Sequence, residues 1–284
     1  STLFPYTTLF RSIFSNHVLS IETLRAEYAE LELVLNETFF IKRNGEIVMS
    51  VQYHETPSAA ENGKVRLWVM CDPNDSDASL YAFAYEALEA QLMAHGVTRA
   101  LGPVREDMAG WLAELRKHDF ENVQRQIELE LDLVAFEHDQ YQSIFGKLQE
   151  EGISIRSLQY LKGNDSDWLT KLYEMQESAR SDIPRPQGVV PTKLPLDEWQ
   201  QTHLRKRARP EYWFVAVTAA GEYIGMGNCH VEDDTKNVAG IGFVGVLREH
   251  RGKGIGTALK VASMQALKEA GFTSLRTNNA ETNP

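Results

Sequence analysis

Displaced against itself by 175 residues, the chain brings like onto like without a gap. Leu67-Trp68-Val69-Met70 falls on Gly242-Phe243-Val244-Gly245, and His95-Gly96-Val97-Thr98 on Ala270-Gly271-Phe272-Thr273. Upstream, with shifts of one residue, Phe39-Phe40-Ile41 meets Trp213-Phe214-Val215, and Gly45-Glu46-Ile47 meets Gly221-Glu222-Tyr223. A period of this length is that of a whole domain, and 284 residues hold two of them. The chain therefore reads as two copies of one folding unit.

Each copy has the same local grammar. Two apolar strands joined by a Gly-containing turn are followed by a third strand, a loop, a helix stopped by Gly and a further strand. In the second copy the strands are expected near Tyr212–Thr218, Tyr223–His230, Val238–Val246 and Ser274–Asn278. The helix is expected over Ile255–Ala270, with Ile255, Ala258, Leu259, Ala262 and Ala266 on one face and Gly271 as its stop. In the first copy the helix Leu80–His95 ends at Gly96 in the same way. Strand, loop, helix and strand make a crossover unit on a mixed sheet, so the expected class is α+β, with two tandem domains of mixed, mostly antiparallel sheet flanked by helices. The expected boundaries are a first domain at 13–134, a partly helical connecting segment at 135–151 and a second domain at 152–284. Met and Trp residues read as core.

The two ends read differently. Residues 1–12, STLFPYTTLFRS, read as an in-frame translated sequencing adapter and are set aside from fold reasoning; they lack the basic start and longer apolar stretch of a signal peptide. With the last residues stopping short of a closing element, the sequence reads as a fragment cut at both ends. By the repeat, roughly 25 residues of the second domain would follow Pro284, and the piece as written is expected to be poorly stable and inactive.

Composition excludes several classes. No apolar run approaches the length of a membrane span, and Cys71 and Cys229 alone build neither a disulfide framework nor a structural zinc site. A reducing cytoplasm suits them, and no metal is expected. The net charge of −11 argues against a nucleic-acid partner, but it is unevenly spread. Residues 152–284 carry 17 Lys and Arg against 15 Asp and Glu, whereas residues 1–151 carry 12 against 25. A polyanionic ligand belongs to the second copy.

The chemistry points to Val246-Leu247-Arg248-Glu249-His250-Arg251-Gly252-Lys253-Gly254-Ile255-Gly256-Thr257, between strand and helix of that copy. Three glycines within five residues let the backbone close around a ligand, and the loop opens directly into a helix N-terminus that favours an anion. Arg251 and Lys253 add charge-assisted contacts, which makes a nest of pyrophosphate size. The nucleotide-triphosphatase pattern fails, because Lys253 is followed by Gly254 instead of Ser or Thr. Gly240-x-Gly242-x-x-Gly245 spells a dinucleotide fingerprint but lies inside an apolar strand.

Arg251-x-x-Gly254-x-Gly256, after a strand ending at Val246 and opening an amphipathic helix, resembles the acetyl-CoA loop of the GCN5-related N-acetyltransferase superfamily. The resemblance covers both copies and is to tandem bacterial members, with Arg248 where many members have Pro. It implies an acetyl-CoA-dependent enzyme acting on an amine of a small molecule or peptide. It also implies that the loop amides of Arg251, Gly252, Lys253, Gly254, Ile255, Gly256 and Thr257 hold the CoA pyrophosphate. Phe243, Val244, Gly245 and Val246 would then pair with pantetheine, and Asn283 would contact CoA after the next strand. At the same offset in the first copy stand Ser76, Asp77, Ala78, Ser79 and Tyr81, and Met108 replaces Asn283. One CoA site per chain is therefore expected, the first copy serving as a scaffold.

Other candidates are His230 as a general base, Glu177 and Asp182 as carboxylates for a cationic amine, and the basic run Arg205-Lys206-Arg207-Ala208-Arg209 for a phosphate or acidic acceptor. Each has a plainer reading as a packed or solvated side chain. No general acid is assigned, since the family often takes a Tyr from a helix beyond the last strand present. A non-catalytic acyl-CoA-binding regulator is the alternative function. Acceptor identity and oligomeric state are not legible in the residues.

Overall fold

A computed structural model of the chain describes residues 35–55, 63–72, 75, 77–183, 193–204, 208–233 and 237–281, the side chains of 232 and 233 excepted. The adapter-like residues 1–12, Ser76, the basic residues 205–207 and Asn283 lie outside the described residues. The described residues fall into two compact units, one up to Val123 and the other from Gln124 onward.

In the first unit, β1 (Asn36–Arg43) and β2 (Glu46–His54) form a hairpin whose turn residues, Asn44 and Gly45, have φ of 54° and 87°. Two successive positive φ values are what a tight right-twisted hairpin needs, and Asn-Gly is the pair that accepts them. β2 pairs antiparallel with β3 (Lys64–Cys71), which crosses through helix α1 (Ala78–Ala94) to a parallel β4 (Arg99–Leu101). Asp77 caps α1 by accepting from the Ser79 N–H, and Gly96 at φ 66° ends it. Leu80, Ala84 and Leu88 recur at helical spacing and pack on Val51, Tyr53, Val65, Leu67 and Val69 from alternate strand positions. Helix α2 (Ala109–Lys117) closes this core with Trp111 and Leu115.

In the second unit, six strands lie in the order β5-β10-β9-β8-β7-β6. These are β5 (Gln126–Asp132), β6 (Ile153–Ser157), β7 (Phe214–Thr218), β8 (Tyr223–Asp233), β9 (Val238–Val246) and β10 (Ser274–Ala280). The helices are α3 (Gln142–Glu150), α4 (Leu158–Asn164), α5 (Trp168–Arg180), α6 (Leu196–His203) and α7 (Ile255–Glu269). Helix α7 lays Ile255, Ala258 and Leu259 on Ala216 and Ile224, with Leu148 of α3 beside them. Helix α5 buries Leu172, Met175 and Ala179 in a separate cluster with Val215 and Met226.

The order β7-β8-β9-β10 reproduces β1-β2-β3-β4, and each set closes on three parallel pairs after its crossover helix. The repeat read in the sequence is thus a repeat of topology, in a mixed α/β fold of tandem type. Some local expectations shift. Tyr212 lies in a short helical turn with Pro210 instead of opening a strand, and β8 and β10 run past His230 and Asn278. Residues expected to connect the copies form α3, whose Leu148 is 1% exposed in the second unit's core. Gln126–Asp132, read with the first copy, pairs antiparallel with β10 from Ser274↔Asp132 to Ala280↔Gln126. That pairing covers a strand edge which would otherwise stand open. Trp68 and Met93 are exposed, contrary to the core reading, because Leu67 and Val69 take the core face of β3 and Met93 lies off the buried stripe of α1.

Candidate functional site

The site begins where two strands part. β9 and β10 pair only at Val238↔Ser274, Ala239↔Leu275 and Gly240↔Arg276. Beyond Gly240, β9 follows β8 while β10 follows β5. Among the described residues, Ile241–Val246 therefore presents a strand edge with no ladder on its β10 side, and a wedge opens beside it.

A bulge turns β9 at this point. Gly227 pairs with Val244 and Cys229 with Ile241, which sets Gly242 and Phe243 together opposite Asn228. The Phe243 N–H donates to Asn228 Oδ1 at 2.5 Å. An added Cβ at Gly242 would lie 2.4 Å from Asn228 Oδ1, so a side chain there has to push that amide off the Phe243 N–H. The Phe243 side chain packs with the α5 cluster and that of Val246 with the α7 cluster, so these residues offer the wedge their backbone.

β9 leads into Leu247, a helical turn at Arg248–His250, an extended Arg251, and then α7. Gly252 and Gly254 sit at φ 78° and 84°, where a side chain would be strained. Gly254 is the cap of α7 and supplies no side-chain acceptor to its first turn. The N–H groups of Ile255, Gly256 and Thr257 are thus first-turn donors that suit an external anion. The contrast with α1, whose own Asp77 occupies that place, is direct.

The loop cations have partners. Arg248 Nε lies 2.9 Å from both carboxylate oxygens of Asp182, and its Nη2 also bonds Oδ1. Arg251 Nη2 reaches Asp182 Oδ2 at 2.5 Å, and Arg251 Nε donates to the Val246 carbonyl at 2.9 Å. Arg248 first, then Arg251, holds the Asp182 carboxyl well below the usual carboxylate range. Lys253 Nζ meets Glu151 at 2.8 Å. The first unit inverts these charges at the same station, where Arg43 bridges Asp75 at 2.7 Å and Asp77 at 3.3 Å.

Phe243, Val244, Gly245 and Val246 close β9, and Arg251 through Thr257 run from the glycine loop into the first turn of α7. Asp182 is engaged by two arginines and Glu177 by Arg180 at 2.8 Å, so neither stands as an open carboxylate for an amine. His230 is exposed on β8, opposite Gly240. Arg209 lies 3.7 Å from Glu211. Sequence reasoning missed Asn228, whose role needs the register of two strands, and misjudged Asp182, whose partners lie 66 and 69 residues away. Among the described residues no group of three or more His, Cys, Asp or Glu is placed to hold a metal, and no helix is long and apolar enough to cross a membrane.

Residues 170–284 match the model of the Acetyltransferase (GNAT) family. Among solved structures, the chain is similar to a GCN5-related N-acetyltransferase from Sphaerobacter thermophilus, with a TM-score of 0.71 and 17% identity over 99% of this chain and 85% of that one. It is also similar to a tandem GNAT protein from the clavulanic acid biosynthesis pathway, with a TM-score of 0.65 and 15% identity over 100% and 87%. A GNAT-family acetyltransferase from Colwellia psychrerythraea gives a TM-score of 0.56 and 12% identity over 100% and 89%. At these identities the likeness is one of fold. No curated protein sequence matches the chain.

Proposed function

We propose, taking residues 170–284 as a domain of the acetyltransferase (GNAT) family, that this chain is an acetyl-CoA-dependent N-acetyltransferase acting on the amine of a small molecule or peptide. The GNAT fold supports acyl transfer, and the further step to this cofactor and to one site per chain, in the second unit, is our reading. The observation that carries it is the wedge between β9 and β10 set against a glycine-capped helix N-terminus.

Acetyl-CoA as co-substrate supplies an activated thioester. The first-turn amides of α7 and the glycine loop hold its pyrophosphate, where the helix dipole adds to the hydrogen bonds. The edge Ile241–Val246 takes the pantetheine arm as a neighbouring strand. Leu247 N–H bonds the Ile224 carbonyl, and strand alternation then turns the Val244 and Val246 N–H groups to the wedge. Val244 N–H is thus placed to stabilise the negative charge that develops on the thioester oxygen as the amine attacks. Among the described residues the first unit shows no such nest, its helix N-terminus being filled by Asp77 and its flank acidic.

Calorimetric titration of acetyl-CoA into the chain, once a cooperative thermal melt has shown it to be folded, tests this. One site per chain, lost in Gly254→Glu, is the expected result; absence of binding, or binding indifferent to that substitution, overturns the reading. Release of free CoA thiol across a panel of amines then separates a transferase from a non-catalytic acyl-CoA-binding protein.

A further inference from the structure

We propose that Asp182, at the end of α5, is a positioning residue for the pyrophosphate loop, holding its backbone in the ligand-ready form through Arg248 and Arg251. The inference rests on the acetyl-CoA reading of that loop. Both carboxylate oxygens of Asp182 are used, and its side chain is 14% exposed although those of Arg248 and Arg251 are 76% and 46% exposed. Arg251 is held at two points, by Asp182 and by the carbonyl of Val246, so a single guanidinium ties the end of α5 to the end of β9. A planar fork bonded on two sides has little rotational freedom left.

What lies between these anchors and α7 is the part of the chain that most needs them. Gly252 and Gly254 carry positive φ and have the widest conformational choice of any residue type, so a loop that depends on them loses much entropy on ordering. Fixing that loop before the ligand arrives lowers the cost of binding.

A competing role has the opposite sign. If Asp182 merely neutralised two arginines, removing its charge would strengthen the attraction for a pyrophosphate. Arg248 and Arg251 stand at exposed positions, however, where salt screens a freed charge, whereas disorder in the amide nest weakens every hydrogen bond it makes. Positioning should win.

The test compares wild-type chain with Asp182→Asn, which keeps the shape and removes the charge. Acetyl-CoA and acetyl-pantetheine, which lacks the pyrophosphate, are titrated into each, and amide hydrogen exchange is followed over residues 247–257 of the ligand-free proteins. The expected result is roughly three- to tenfold weaker acetyl-CoA binding, acetyl-pantetheine binding changed by less than about twofold, and faster exchange in the loop. Arg248→Ala should act in the same direction, and the double variant should fall short of the product of the two single effects. Tighter acetyl-CoA binding in Asp182→Asn, or unchanged affinity with unchanged exchange, overturns the proposal. Failure of the wild-type chain to bind acetyl-CoA brings down the reading of the loop and this inference with it; failure of Asp182→Asn alone to respond brings down only the positioning role.

Discussion

Two glycines two residues apart in the loop should respond to alanine in opposite directions. Gly254 caps α7 at φ 84°, and a Cβ there would sit 3.1 Å from Ile144 Cγ2 of α3. Forcing an L-residue into that region costs about 1–2 kcal/mol, and the close methyl contact adds to it. Against this stands about 0.4–1 kcal/mol gained because alanine restricts the unfolded chain. The net loss for Gly254→Ala is about 1–2 kcal/mol. Gly256 lies in the first turn of α7 with an ordinary helical φ, and its Cβ would make a 3.9 Å contact with Val246 Cγ2. Alanine there should gain about 0.5–1 kcal/mol. For a folding unit of this size these values become a fall of about 2–8 °C for Gly254→Ala and a rise of about 1–4 °C for Gly256→Ala. Thermal unfolding followed by circular dichroism measures both, with acetyl-CoA titration beside it. Binding should weaken at 254, where the nest depends on the left-handed backbone, and hold at 256, where the new methyl points to the sheet. Equal destabilisation by the two substitutions would refute the argument, since it would mean that backbone conformation does not distinguish them.

Asn228→Ala removes the acceptor of the Phe243 N–H and should lower stability by about 1–3 kcal/mol in urea unfolding, while Asn228→Asp, which keeps the acceptor, should lose less. Equal losses would show that Asn228 does not hold the bulge. A third expectation concerns acid. Asp165, bonded first by Lys171 at 2.9 Å and also by the Tyr223 hydroxyl at 2.9 Å, has its carboxyl lowered below the ordinary 3.8. A carboxyl lowered by folding lends stability that is present above the ordinary value and is lost as pH falls through the lower folded one. Unfolding midpoints measured from pH 7 down to about 2.5 should therefore fall less steeply below pH 4 in Asp165→Asn than in wild type; identical slopes would refute it.

Much of this was legible because it is local. Gly45 announces a turn between two strands, Gly96 and Gly271 announce helix ends at φ 66° and 89°, and the glycine-rich run between β9 and α7 announces a nest, all from the conformations that neighbouring residues permit. The repeat was legible for a related reason, since the same alternation of core and surface positions had to be written twice.

Tertiary structure decided what depends on residues far apart in the chain. Nothing in the alternation of Gln126–Asp132 says which sheet edge it will cover, because an amphipathic strand satisfies its backbone at any compatible edge, and the fold sets it on β10. Asn228 becomes a clamp only when two strands slip by one residue beside it. Asp182 reads in sequence as a spare carboxylate, and becomes the partner of two arginines only when α5 and β9 end side by side. Backbone propensity is a property of neighbours and can be read along the chain. The pairing of charges and strand edges is a property of the folded arrangement, which alone determines the distances over which hydrogen bonds and ion pairs act.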